Sequence, residues 1–160
     1  MRVLVLVHEA RERMRATTAL ALQPELEVVE CSSPKDARRI MREGGPFDVL
    51  VVDGDIQPQG GFSFLYEVRA QDALAGRSTP PALLLIAREE DRFLTQWAGA
   101  NELLLKPVDP FEVARRVRAL VGEEPAPRDP GDESGAQVPG DPGAPGEPGS
   151  RDVAAGAGSA

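Results

Sequence analysis

Residues 99 to 121 read GANELLLKPVDPFEVARRVRALV, and this stretch decides the fold. Leu103 to Leu105 form a short unbroken apolar run of the kind that suits a strand covered on both faces. Three residues after Lys106, Asp109, Pro110 and Glu112 supply an N-cap, a proline preset for the first helical position and an acid in the first turn. Phe111, Ala114, Val117 and Leu120 then predict one apolar stripe, with Arg115, Arg116 and Arg118 directed away from it. A buried strand running straight into an amphipathic helix is one βα unit.

The same grammar recurs toward the N-terminus. Val3 to Val7, Val49 to Val52 and Ala82 to Ala87 are continuous apolar runs, while Leu26 to Cys31 alternates Glu27 and Glu30 with apolar residues, as an edge strand does. Ser33, Pro34 and Asp36 start a helix that Gly44 stops, with Ala37, Ile40 and Met41 on its apolar face. Strands alternating with helices imply crossover connections and a parallel sheet. The expectation is an α/β, doubly wound domain of five strands and five helices over residues 1–121.

Residues 122–160 differ in kind. They hold 7 of the 15 prolines and 9 of the 16 glycines, carry 8 acids against 2 arginines, and include no aromatic residue. Such a segment cannot bury enough apolar surface to fold, so it is expected to be a disordered, acidic Pro/Gly-rich tail. Gly140, Gly143, Gly146 and Gly149 fall in a collagen-like phase, but too few triplets are present for a triple helix. The tail carries −6 of the total −8, which leaves residues 1–121 nearly neutral. Nothing here is the basic footprint that direct nucleic-acid binding needs. No apolar run reaches the length of a membrane span, and the N-terminus carries no signal-peptide pattern, so a cytoplasmic location is expected. Cys31 is the single cysteine and is read as apolar filler rather than as a disulfide or metal ligand.

In an open parallel sheet, ligands bind beyond the carboxyl ends of the strands, near the point where strand order reverses. The third strand ends there in Asp53, ahead of Gly54, Asp55, Ile56, Gln57, Pro58, Gln59, Gly60 and Gly61; the fifth ends in Lys106 and Pro107. An acid at an apolar strand end costs solvation energy unless it has a partner or a task. Lysine is rare in this chain, two against 16 arginines, and one of the two stands at this rim. A compact point charge is what the position selects.

With FDVLVVD (47–53) before a Pro/Gly loop, PPALLLIA (80–87) and the Gly-Ala, strand, Lys-Pro, helix order of residues 99–121, the chain resembles the receiver domain of bacterial two-component response regulators. The resemblance implies a flavodoxin-like (βα)5 fold of the CheY-like family. It implies that Asp53 accepts phosphate from a sensor histidine kinase or phosphotransfer protein, and that Lys106 holds a phosphate oxygen. Mg²⁺ would sit on Asp53, on acids ending the first strand and on the backbone carbonyl of Asp55. The Lys106–Pro107 bond would be cis, making Pro107 structural. A stand-alone receiver of this kind signals to a downstream protein through its fourth helix, fifth strand and fifth helix. It is not an enzyme beyond self-catalysed transfer of phosphate to Asp53.

Three departures mark the chain as atypical. The family ends its first strand in two adjacent acids, and here the pair falls either on His8 and Glu9, which keeps one carboxylate, or on Val7 and His8, which keeps none; the magnesium site is weakened unless the side chain of Asp55 or Glu9 compensates. Ile86 and Leu103 occupy the two switch positions where the family has a hydroxyl and an aromatic residue, and Ile86 cannot donate to a phosphate. Pro58 lies one residue late in its loop.

A second reading follows, in which the chain is a pseudo-receiver that binds protein without phosphorylation. Lys106 is then a structural ion-pair partner of Asp53. His8 is either a ligand or pH sensor or an ordinary hydrogen-bonded rim residue, and the three arginines either meet a partner or form a solvated face. Trp97 is either a contact anchor or, with Phe93 and Ala100 at helical spacing, a packing residue.

Overall fold

In the computed structural model, residues 1–57 and 59–122 are described; Pro58 and the tail expected beyond Gly122 lie outside these residues. The apolar runs form β1 (Arg2–Leu6), β2 (Glu27–Cys31), β3 (Val49–Asp53), β4 (Ala82–Ile86) and β5 (Glu102–Leu105). Between and after them come α1 (Ala10–Ala21), α2 (Pro34–Glu43), α3 (Gly61–Leu74), α4 (Arg92–Ala98) and α5 (Pro110–Gly122), with a short 3₁₀ turn at Glu89–Asp91. All five strands are parallel, in the order β2-β1-β3-β4-β5. β2 is therefore an edge strand, as its alternation predicts. Strand order reverses between β1 and β3, which puts the carboxyl end of β3 at the switch point.

Alternation along each central strand feeds two cores. Val3, Val5, Val49, Val51, Leu83 and Leu85 pack on one face against Ala16, Ala19 and Leu20 of α1 and Val113, Val117 and Leu120 of α5. Leu4, Leu6, Leu50, Val52, Leu84 and Ile86 pack on the other against Ala37 of α2, Phe64, Leu65 and Val68 of α3 and Ala98 of α4. Helices thus cover both faces, the doubly wound arrangement. No helix among the described residues is long and apolar enough to cross a membrane.

The start signals act as read. Ser33 Oγ accepts from the Asp36 amide, Pro34 opens α2 and Gly44 closes it. Asp109 accepts from the amides of Phe111 and Glu112 at the head of α5. At α3 the entry is steric: a Cβ on Gly61 would stand 2.0 Å from the Asp53 carbonyl oxygen, so only glycine lets the helix begin against the end of β3. α4 ends at Gly99 with φ +73°, the left-handed stop glycine supplies.

Two packing expectations need correction. Phe111 is 74% exposed, and the buried face of α5 is Val113, Ala114, Val117 and Leu120. A row taken only at every third residue drifts by about 60° per step on a helix with 3.6 residues per turn, so its first member leaves the face its last one shares. On α4 the buried residues are Thr95 and Ala98, whereas Phe93 and Trp97 face out and Ala100 lies beyond the helix.

Candidate functional site

β3 and β5 deliver Asp53 and Lys106 to the same rim, as their positions in sequence predict. Lys106 Nζ donates to Asp53 Oδ1 at 2.7 Å, and the same ammonium lies 2.7 Å from Asp55 Oδ2. Asp53 Oδ1 also accepts from the Asp55 amide at 3.1 Å. Two carboxylates two residues apart therefore share one ammonium. Burial pulls the Lys106 pKa down, but hydrogen bonds to Asp53 and Asp55, together with their charges, outweigh it and leave the ammonium held above its ordinary value. The Lys106–Pro107 bond is cis, as expected, and Lys106 N donates to Ile86 O, fixing the end of β5 to the end of β4.

Glu9, the acid that follows the first strand, serves a helix. Glu9 is the N-cap of α1: its carboxylate accepts from the amides of Arg11 and Glu12, and those bonds hold its pKa below the usual carboxylate value. It is committed to the helix, not to the rim. Arg13 donates to the carbonyls of both Val7 and His8, the two residues that link β1 to the Glu9 cap of α1. Val7 is fully buried, and His8 Nδ1 lies 3.1 Å from the Ser32 carbonyl, the hydrogen-bonded rim residue of the plainer reading. Among the described residues no group of three or more His, Cys, Asp or Glu side chains is placed to hold a metal ion. The Asp55 side chain, one of the two acids the sequence leaves to compensate at this rim, is turned to Lys106.

Ile86 is fully buried at the end of β4, and Leu103 is half-buried against the same core as α3 and α4. Neither offers a hydrogen-bond donor toward Asp53. On the outer surface Trp97 of α4 stacks on Tyr66 of α3, with centroids 4.7 Å apart and planes 6° from parallel, and both rings are about half exposed. The packing partner of Trp97 is thus another surface ring. Arg115 pairs with Glu112, Arg116 with Glu102 and Glu112, and Arg118 with Glu25, so all three arginines satisfy acids of this chain along a solvated face.

No family model matches the chain. An uncharacterized response regulatory protein of Mycobacterium tuberculosis is 32% identical over 126 residues, covering 76% of this chain and 91% of that protein. This chain belongs to the response-regulator receiver family. The transcriptional regulatory protein TcrA of the same organism is 34% identical over 137 residues, of which the match spans 51% of TcrA and 83% of this chain. Solved structures agree on the fold: the receiver domain of the Francisella response regulator 1452 superposes with a TM-score of 0.65 at 22% identity, over 76% of this chain and 96% of that one. The chemotaxis response regulator CheY4 of Vibrio cholerae gives 0.65 at 22% identity, over 74% and 97%. The receiver is accordingly a two-component signalling domain, and receivers work by contact with kinases or downstream proteins.

Proposed function

We propose that this receiver is a stand-alone, phosphorylation-independent protein-binding module that acts from the cytoplasm. The observation that carries the reading is Ile86, fully buried where a hydroxyl would have to answer a phosphate on Asp53. A phosphate with no contact that differs between two states shifts no equilibrium between them. Glu9, spent on capping α1, supports it from the cation side. The stand-alone role is supported by the match to 91% of the length of the mycobacterial relative. The docking face is the one formed by α4, β5 and α5, where Phe93, Trp97, Leu105 and Phe111 expose apolar surface.

The retained Asp53–Lys106 contact favours a second reading, in which an Asp53 carboxylate oxygen attacks the phosphorus of a kinase phosphohistidine or of a small donor and displaces the donor group. Intact mass after incubation with acetyl phosphate and MgCl₂ separates the two. The expected result is an unchanged mass under conditions that load an ordinary receiver. A gain of one phosphate, absent from Asp53→Asn, overturns the proposal in favour of the second reading.

A further inference from the structure

At the end of the sheet away from Asp53, where β3 and β4 begin, α2 and α3 leave a cleft of about 660 Å³ between them. Sites for small molecules run from about 300 to 1,000 Å³ and combine an apolar lining with a few polar groups. This cleft has that make-up. Met41 of α2, Phe47 ahead of β3 and Val68 of α3 line it; Phe47 and Val68 belong to the core beneath these helices, and Met41 packs against it. The charged lining is mostly arginine: Arg38 and Arg42 of α2 and Arg77 of the loop before β4, against one acid, Asp72.

Two sides of the cleft are pinned by bonds. Arg2 donates to the carbonyls of Gly44 and Pro46 and lies 4.6 Å from the Phe47 ring centre, which fixes the loop between α2 and β3. Arg77 donates twice to Asp72 Oδ1, at 3.0 and 2.9 Å, and its amide donates to the Asp72 carbonyl, which fixes the loop after α3. A ligand entering a cleft already shaped in this way does not have to order it.

Charge then decides what fits. Arg38 is matched by Glu67, with Gln59 as a second acceptor, and Arg77 by Asp72. Arg42 has no such match: among the described residues it makes no hydrogen bond or ion pair, and the last turn of α2, where a cation is favoured, tolerates it unpaired. One guanidinium charge is thus left over beside an apolar floor. Its complement is a molecule with one negative charge and an apolar body. The planar fork of an arginine matches a carboxylate through two parallel bonds, and the guanidinium planes at the walls suit a flat ring.

We propose that this cleft is a binding site for a small aromatic monocarboxylate, with its ring against Met41, Phe47 and Val68 and its carboxylate on Arg42. Anions of higher charge fit less well, since their further negative charges meet arginines already engaged by Glu67 and Asp72. The site lies at the other end of β3 from Asp53, so it goes beyond the protein-binding role proposed above and does not depend on phosphate at that residue.

The test is an amide ¹⁵N–¹H titration of the full chain with sodium 2-naphthoate, against NaCl at equal ionic strength. Shifts at the amides of Gly45, Phe47 and Val68 are expected to saturate below roughly 10 mM, the range of a weak small-molecule site. Arg42→Gln changes an exposed, unpaired side chain and so keeps the fold; it is expected to weaken binding at least roughly 10-fold, the usual strength of a charge-assisted bond. 2-Naphthalenemethanol, the same ring without the charge, is expected to bind more weakly by a similar factor, and acetate, the charge without the ring, not to saturate. Arg11→Gln, which removes an exposed charge from α1, is expected to bind 2-naphthoate as the wild type does. An absence of saturable shifts in the wild type overturns the proposal. Undiminished binding by Arg42→Gln or by the alcohol overturns it too, since the arginine is then not what the ligand meets. An equal loss in Arg11→Gln would trace binding to overall charge, and saturation by acetate would leave the apolar floor no part; either result overturns the proposal as well.

Discussion

Asp53 and Asp55 hold the same ammonium at the same distance, yet their surroundings differ: the Asp53 side chain is 6% exposed and that of Asp55 36%. Solvent screens the outer pair and not the inner one, so their contributions to stability should separate. In urea denaturation Asp53→Ala is expected to cost about 3 kcal/mol, the range for breaking a buried pair, and Asp55→Ala under about 1 kcal/mol. Equal losses would mean that burial does not rank the two contacts. The sign of the pH dependence follows from Lys106, whose folded pKa is raised. Stability from such a group is complete below the ordinary lysine value and is lost only as pH rises through the folded one, so both costs should stay constant across neutral pH. At this scale Asp53 and Lys106 were legible, an acid and a scarce lysine each closing an apolar strand run. The Asp55 carboxylate was legible as an acid at the rim but its lysine partner was not, because spacing along a loop does not say which way a side chain turns. Glu9 was ambiguous for a related reason: an acid just after a strand serves a metal or a helix cap equally well until its oxygens are seen on the amides of Arg11 and Glu12.

Among the elements, those with chemical punctuation were readable and those defined by periodicity alone were less so. α2 begins and ends where Ser33, Pro34 and Gly44 place it because each of those residues has a backbone reason to be there. α5 has the same clear start at Asp109, but its buried face was misassigned at Phe111 since a row at every third residue wanders around the helix. α4 is only seven residues long, too short for its period to separate Phe93 and Trp97 from the true inward residues Thr95 and Ala98. The distinction has an energetic consequence that mutation can read. Phe111→Ser, on the solvent side, is expected to change unfolding free energy by within about 0.5 kcal/mol, whereas Leu120→Ala, which empties a buried site in the core that α5 shares with α1, should cost about 3 kcal/mol. Chemical denaturation of the two variants checks both values. A Phe111→Ser loss as large as that of Leu120→Ala would show that the α5 stripe is buried along its whole length after all.

For the molecule as a whole, β2 is the weak margin: it pairs on one side only, its Glu27 and Glu30 face water, and its last residue, Cys31, is the chain's single thiol. Burial pushes that thiol from 9.0 up to about 12, with the neighbouring Asp36 charge adding to the effect, and its Sγ faces the Val5 carbonyl. Because the thiolate is the reactive form, the folded protein presents almost none of it at pH 8. The sign is that of a raised pKa: below pH 9 the thiol is neutral in both states and adds no pH dependence, and above it the unfolded thiol ionises first, so folding weakens as pH rises toward about 12. Labelling at pH 8 must then proceed through opening of the sheet, and the cheapest opening that frees Cys31 is release of β2 from β1 rather than unfolding of both cores. A thiol reagent is therefore expected to modify the native protein at least roughly 100-fold more slowly than it modifies the protein in urea, with an opening free energy below the global one. If the two free energies coincide, β2 opens only with the whole sheet, and the edge strand is as firmly held as the centre. Labelling as fast as in urea would instead mean that Cys31 is not buried beneath the edge at all.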